Sequence, residues 1–187
     1  MLARVTRSGV TESVHDGAVA VVDADGALLA SHGDIDRTFF ARSTIKPFQG
    51  TVALECGAEL PPEWLAVACA SHTGAPVHIA IIREMLRSAG LSERHLGTPP
   101  GWPVGSHRDR LIRASRRSPE SIFNNCSGKH AGFLRACQAS TWDLEGYLDP
   151  SHPLQERVRA LLSDVTGQTG FEIGVDGCGA PTFTVSA

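Results

Sequence analysis

No stretch of this sequence is long and apolar enough to cross a bilayer. Its start, MLARVTRSGV, has no apolar core of the kind a secretory signal needs, so the expected compartment is the cytoplasm. No excess of basic residues is present either: the formal net charge is -3. That gives no electrostatic reason to expect nucleic acid or an anionic membrane as partner. The one locally basic run, RDRLIRASRR at 108–117, reads most simply as a solvated helix face. Internal repeats and low-complexity linkers are absent, which leaves 187 residues for one domain, with room for an inserted lobe.

Lysine is the scarcest of the charged side chains. Of 17 Lys and Arg, only Lys46 and Lys129 are lysine. Both fall in the densest polar motifs, RSTIKP and NNCSGKHAGF. Arginine stays charged in proteins, whereas a buried lysine amine can lose its proton and act as base or ligand. An arginine-biased chain must also place its few lysines somewhere, so chance is the competing reading.

Cysteine is present in an odd number, five, so at least one thiol cannot pair within the chain. Reduced thiols are expected in the absence of an export signal. Cys56 and Cys137 lie in helical patterns and read as small buried hydrophobes, and Cys69 has no evident partner. Cys126 and Cys178 sit in glycine-rich polar settings and need another explanation.

Strand signals come first. Apolar runs at 18–22 and 27–30 flank a turn at 23–26 and predict a hairpin with one buried face and an open edge, and TFFA adds a short strand. Helical patterns follow at 43–56, 61–70, 76–89, 106–115, 127–139 and 153–165. The glycine-rich GVDGCGAPTF then leads to only a few more residues. The order of elements predicts an α+β fold.

Ser43 and Lys46 are three apart at a helix start, so hydroxyl and amine share a face. That suits a serine nucleophile with a lysine base; the plainer alternative is that Ser43 caps the helix. Ser71, in ASHTGAP between two helices, suits a proton relay or a substrate contact, and equally a cap. Cys126 and Lys129 are also three apart at a helix start. With Cys178 they offer two thiolates toward zinc, and imidazole chemistry points to His130 as a third ligand. The other reading is three unrelated residues.

RSTIKPFQ, SHTGAPVH, NNCSGKHAG, YLDPSHPLQ and DGCGAPTF, with TESVHDGAVAVVDADG near the start, resemble the Rhizobium-type bacterial L-asparaginases, the asparaginase II or class 3 group. The motifs come in the family's order and cover nearly the whole chain. The resemblance implies a serine β-lactamase and glutaminase-like fold in which a helical lobe is inserted between strands. As a single domain the chain divides into a strand region at 1–42, a helical lobe at 43–170 and the start of a C-terminal part at 171–187. The implied reaction is hydrolysis of L-asparagine to L-aspartate and ammonia. The resemblance implies Ser43 as nucleophile, Lys46 as its partner and Ser71 as the serine of a second serine–lysine pair. It implies Cys126, Lys129 and Cys178 as zinc ligands, preferring Lys129 to His130. Arg42, His130 and Asp176 match residues lining or supporting the pocket. Family members continue past DGCGAPTF with more helix, the C-terminal strands and a later lysine for Ser71. This chain has no lysine after Lys129. The expectation is therefore a truncated member with doubtful turnover that forms a homodimer or self-associates. The alternatives are a non-catalytic remnant binding zinc or an amino acid, and a relative acting on glutamine or β-lactams.

Overall fold

The structure is a computed structural model that describes residues 1–105 and 118–186. The helix expected at 106–115 lies outside the described residues. The fold is mixed, with strands at both ends and helices between. It divides into two compact units, one of Met1–Phe39 with the last residues from Thr184, the other of Phe40–Phe183.

The first unit holds two antiparallel hairpins. One joins β1 (Ala3–Arg7) and β2 (Val10–His15) through Ser8 and Gly9. Both turn residues have positive φ, 49° and 80°. That is what a two-residue hairpin loop requires if it is to match the twist of its strands. The sequence reading missed this hairpin, although a Ser-Gly pair between alternating residues signals one. The second hairpin joins β3 (Val19–Val22) and β4 (Leu28–His32), close to the expected runs. Asp23 shapes its turn by accepting the N–H groups of Asp25 and Ala27 on Oδ1. The expected buried face is absent. Val19, Val21, Val22, Leu28 and Leu29 are between 45 and 65% exposed, on both faces of the ribbon.

The second unit is helical. β5 (Phe39–Phe40) leads into a 3-10 turn, Arg42–Ile45. Five α-helices follow among the described residues: α1 (Lys46–Glu55), α2 (Pro62–Ala68), α3 (Pro76–Arg87), α4 (Ser127–Ala139) and α5 (Pro153–Thr166). Prolines sit in the first turns of α1, α2, α3 and α5, where a missing N–H is harmless. Gly167 closes α5 with φ 68°. α3 buries Ile79, Ile82, Met85 and Leu86 along one stripe, and α5 buries Leu154, Val158 and Leu162.

α4 differs from the others. It packs against α1, α2, α3 and α5. Every residue from Ser127 to Leu134 is buried, so the helix has no solvent face over that span. Small side chains allow this. A Cβ on Gly128 would lie 2.5 Å from Val67 O and 2.6 Å from Val67 Cγ1. A Cβ on Gly50 would collide with Cys69 Sγ. After α5 the chain forms β6 (Ile173–Val175) and β7 (Pro181–Val185), an antiparallel pair joined by a turn that contains Cys178. Ala41, just after β5, donates its N–H to Phe183 O in β7.

The α2–α4 contact gives a stability prediction. Gly128→Ala must push against backbone, and overpacking of this kind costs roughly 2 to 3 kcal/mol. Gly90→Ala faces open space but has φ 68°, and should cost only about 1 kcal/mol. Urea unfolding of both variants checks the order. A Gly128→Ala protein as stable as the parent would contradict the packing described.

Candidate active site

The start of α1 places Lys46 in the interior, 3% exposed. Its Nζ donates to Ala70 O at 2.9 Å, to Ser71 Oγ at 2.7 Å and to Cys126 Sγ at 3.1 Å. An ammonium has three hydrogens, and these acceptors use all of them. The amine thus ties the head of α1 to the segment after α2 and to the residue that opens α4. Ser71 is therefore not without a lysine. Its partner is Lys46, from earlier in the chain.

Ser43 lies in the 3-10 turn and is exposed. Its carbonyl accepts the Lys46 N–H. Its hydroxyl makes no hydrogen bond among the described residues, and it does not cap a helix. Ser43 and Lys46 are neighbours in the turn, yet the amine is turned to Ser71. Arg42, exposed beside Ser43, has φ 48°, a strained conformation for a side chain of its size.

Cys126 and Cys178 come together from the start of α4 and the β6–β7 turn, and all five cysteines are free of disulfides. Cys126 is pulled down to about 6, chiefly by a hydrogen bond from the Cys178 thiol, against burial, with Lys46 helping. Cys178 is pushed up by that same bond to Cys126 and by burial. The pair is a thiolate accepting from a thiol. Cys137, by contrast, is pushed up to about 12 by burial and is an inert core thiol.

Lys129 is 3% exposed and pairs with Asp176 Oδ2 at 2.9 Å. Asp176 Oδ1 accepts the N–H groups of Cys178 at 2.8 Å and Ala180 at 3.0 Å. Burial opposes ionisation of Asp176, but Lys129 and these two amides outweigh it and hold the carboxyl below its usual value. The carboxylate therefore shapes the turn that presents Cys178. Among the described residues no group of three or more His, Cys, Asp or Glu is placed to hold a metal. Two adjacent sulfurs and the nearby Lys129 nitrogen are donors that zinc accepts. The amine would have to leave Asp176 and lose its proton to serve.

His130 is fully buried in α4, and burial first, then the charge of Lys129, pushes it down to about 3. Its Nδ1 lies 2.8 Å from the hydroxyl of Tyr147. His72, beside Ser71, is also buried. Its Nδ1 accepts the Gly74 N–H at 3.1 Å, so its Nε2–H donates to Ser127 Oγ at 2.9 Å. Ser127 in turn donates to Ile122 O at 2.7 Å. His72 thereby clamps the Ser71 segment to the head of α4. The sequence reading missed both His72 and Tyr147. The signal for Tyr147 was its scarcity, since it is the chain's one tyrosine.

A sequence model of the family described as L-asparaginase II matches residues 3–187. The chain belongs to the L-asparaginase II family. No curated protein matches the chain. Family membership makes this an asparaginase-type amidohydrolase acting on a small molecule. No described helix is long and apolar enough to cross a membrane.

The state of His72 carries a pH dependence. Its folded value of about 4, set by burial and then by the His78 and Lys46 charges, lies below the ordinary value of 6.5. The fold thus favours the neutral ring. The stabilisation is present above pH 6.5 and is lost as pH falls toward 4, where the unfolded chain binds one more proton. The slope is about 1.4 kcal/mol per pH unit. His72→Gln, which keeps a donor for Ser127, should reduce that slope by about one proton. Urea midpoints taken between pH 7 and 4.5 read it directly; an unchanged slope would mean that His72 titrates normally.

Proposed function

We propose that the chain hydrolyses L-asparagine to L-aspartate and ammonia by serine–lysine acyl transfer. Ser43 Oγ attacks the side-chain carboxamide carbon and Lys46, after releasing one of its three protons to solvent, takes the hydroxyl proton. The amide nitrogen then leaves as ammonia after receiving that proton. Water hydrolyses the aspartyl ester by the same path in reverse. Ser71 carries the proton between the amine and the reacting centre. Arg42, His130 and Asp176 line or support the substrate pocket. The observation that carries this reading, beside the family, is the buried Lys46 amine bonded to Ser71 Oγ. An arginine there would keep its charge and could not accept a proton.

Cys126, Cys178 and Lys129 are the residues proposed to hold zinc. When bound, zinc supplies a fixed positive charge beside the pocket. The adjacent sulfurs, without a disulfide, support this reading. The fold proposed around the site is that of the serine β-lactamases and glutaminases, built as a single asparaginase-type domain.

The 2.7 Å contact favours a second assignment as well, in which Ser71 itself is the nucleophile. Ammonia release by purified protein separates the cases. With Ser43 as nucleophile, Ser43→Ala lowers kcat by about 10³-fold or more. Lys46→Arg falls by roughly 10²- to 10⁴-fold. An aspartyl adduct trapped by acid and mapped by mass spectrometry sits on Ser43; finding it on Ser71 reverses the two roles. Elemental analysis should find about one zinc per chain, lost in Cys126→Ser and Cys178→Ser. Protein that binds an amino acid yet releases no ammonia is a non-catalytic remnant, and the hydrolase reading then fails.

A further inference from the structure

The two ring nitrogens of His130 have unlike surroundings. Nδ1 meets the Tyr147 hydroxyl, whereas Nε2 is buried and meets no hydrogen-bond partner among the described residues. The Tyr147 hydroxyl is also the acceptor of the Gly97 N–H, at 2.7 Å. Tyr147 is held from behind as well. Gln155, fully buried in α5, donates Nε2 to Tyr147 O at 2.8 Å. The tyrosine ring stands edge-on to both His130 and Phe133. Gly97 has no side chain to block the approach: a Cβ there would lie 2.9 Å from the Tyr147 hydroxyl oxygen.

Two proton arrangements fit these contacts. In the first, Tyr147 donates to His130 Nδ1 and the imidazole carries its proton on Nε2. Only the Nε2–H then lacks a partner. In the second, His130 Nδ1–H donates to the tyrosine oxygen, which already accepts from Gly97. The tyrosine proton then has no acceptor, and Nε2 is a bare acceptor. That leaves two buried groups unmet instead of one. Buried polar groups without partners are strongly disfavoured, so the first arrangement wins. Its remainder is a single N–H donor, sealed from water, in the field of Lys129, Asp176 and Lys46.

We propose that Tyr147 is a positioning residue. Its hydroxyl, oriented by the Gly97 N–H, locks His130 in the Nε2–H form and so reserves one buried donor for a carbonyl or carboxylate oxygen of the substrate. This rests on the reading of the site as an amidohydrolase pocket. It explains why a fully buried imidazole is left one partner short. A site that keeps such a donor rejects ligands lacking the matching acceptor.

The test uses protein labelled with ring ¹⁵N in histidine and long-range ¹H–¹⁵N spectra, with the His130 signals identified by their loss in His130→Gln. In the parent protein His130 should show a protonated Nε2 and an unprotonated Nδ1, and added L-aspartate should shift the Nε2 signal. In Tyr147→Phe the ring should become a mixture of tautomers. With asparagine, Tyr147→Phe should lower kcat/KM about tenfold, mainly through KM. In a His130→Gln background, where the amide supplies a donor needing no lock, the same change should cost less than about threefold. A protonated Nδ1 in the parent, an unchanged tautomer in Tyr147→Phe, or equal losses in both backgrounds would overturn the proposal. Should Tyr147→Phe fail to fold, the parent spectrum alone decides. Absence of asparagine turnover would sink the amidohydrolase reading, while the spectrum still judges the tautomer.

Discussion

One buried cation organises the helical unit. Lys46 brings a positive charge where water does not follow, and a charge there is tolerated only with its hydrogens met and its field answered. A backbone carbonyl, a hydroxyl and a thiolate do both. These three acceptors come from two other parts of the chain, so the amine works as a clamp among α1, the segment after α2, and α4. Removing one member of such a buried set typically costs about 3 to 5 kcal/mol, because the others are left unpaired. The clamp also dictates packing. α4 must come close enough for Cys126 to reach Lys46, and Gly128 supplies the room where α4 meets Val67 of α2.

Around this centre the polar groups are sorted by charge state. Cys126 is the thiolate and Cys178 the thiol; Lys129 and Asp176 form the second buried pair. The two pairs share the β6–β7 turn, since Asp176 both answers Lys129 and holds the N–H of Cys178. His72 and His130 are kept neutral by burial, so they add hydrogen bonds without adding to the positive charge. The interior thus carries two lysines against one thiolate and one carboxylate. That balance is met with lysine at both positions. A compact ammonium with three movable donors can sit between a sulfur and a hydroxyl, and a flat guanidinium cannot.

Much of this was legible along the chain, for local reasons. Ile79, Ile82 and Leu86 repeat at helical spacing because α3 has one buried stripe, and the repeat shows it. α4 was harder, since a helix buried on every side carries no periodic contrast; its glycines and polar residues were what drew notice. The candidate residues Cys126 and Cys178 stood out by composition, and the structure sets their thiols together. What spacing could not give was direction. Three-residue spacing put Ser43 and Lys46 on one face, but a side chain of four methylenes can turn away, and this one does. Apolar runs likewise marked β3 and β4 without telling that both faces would be exposed. Tyr147 was hidden because its role comes from contacts with Gly97, His130 and Gln155, none adjacent to it in sequence.

The two serines therefore divide along a geometric line. Ser43, in the 3-10 turn, lies one turn before Lys46 and accepts the Lys46 N–H on its carbonyl. Its hydroxyl is exposed and unengaged among the described residues, as suits a group that must meet a ligand arriving from solvent. Ser71 instead holds the tip of the same side chain, its hydroxyl fixed by the amine and its backbone fixed by the His72 clamp. A hydroxyl already bonded to the amine can accept a proton from one side and release it to the other. On the proposed reading Ser43 has the freedom that attack requires and Ser71 has the contact that proton transfer requires. On the same reading the guanidinium of Arg42, whose strained backbone stands next to the exposed Ser43, would meet the substrate carboxylate, while the buried lysine would do the acid–base work.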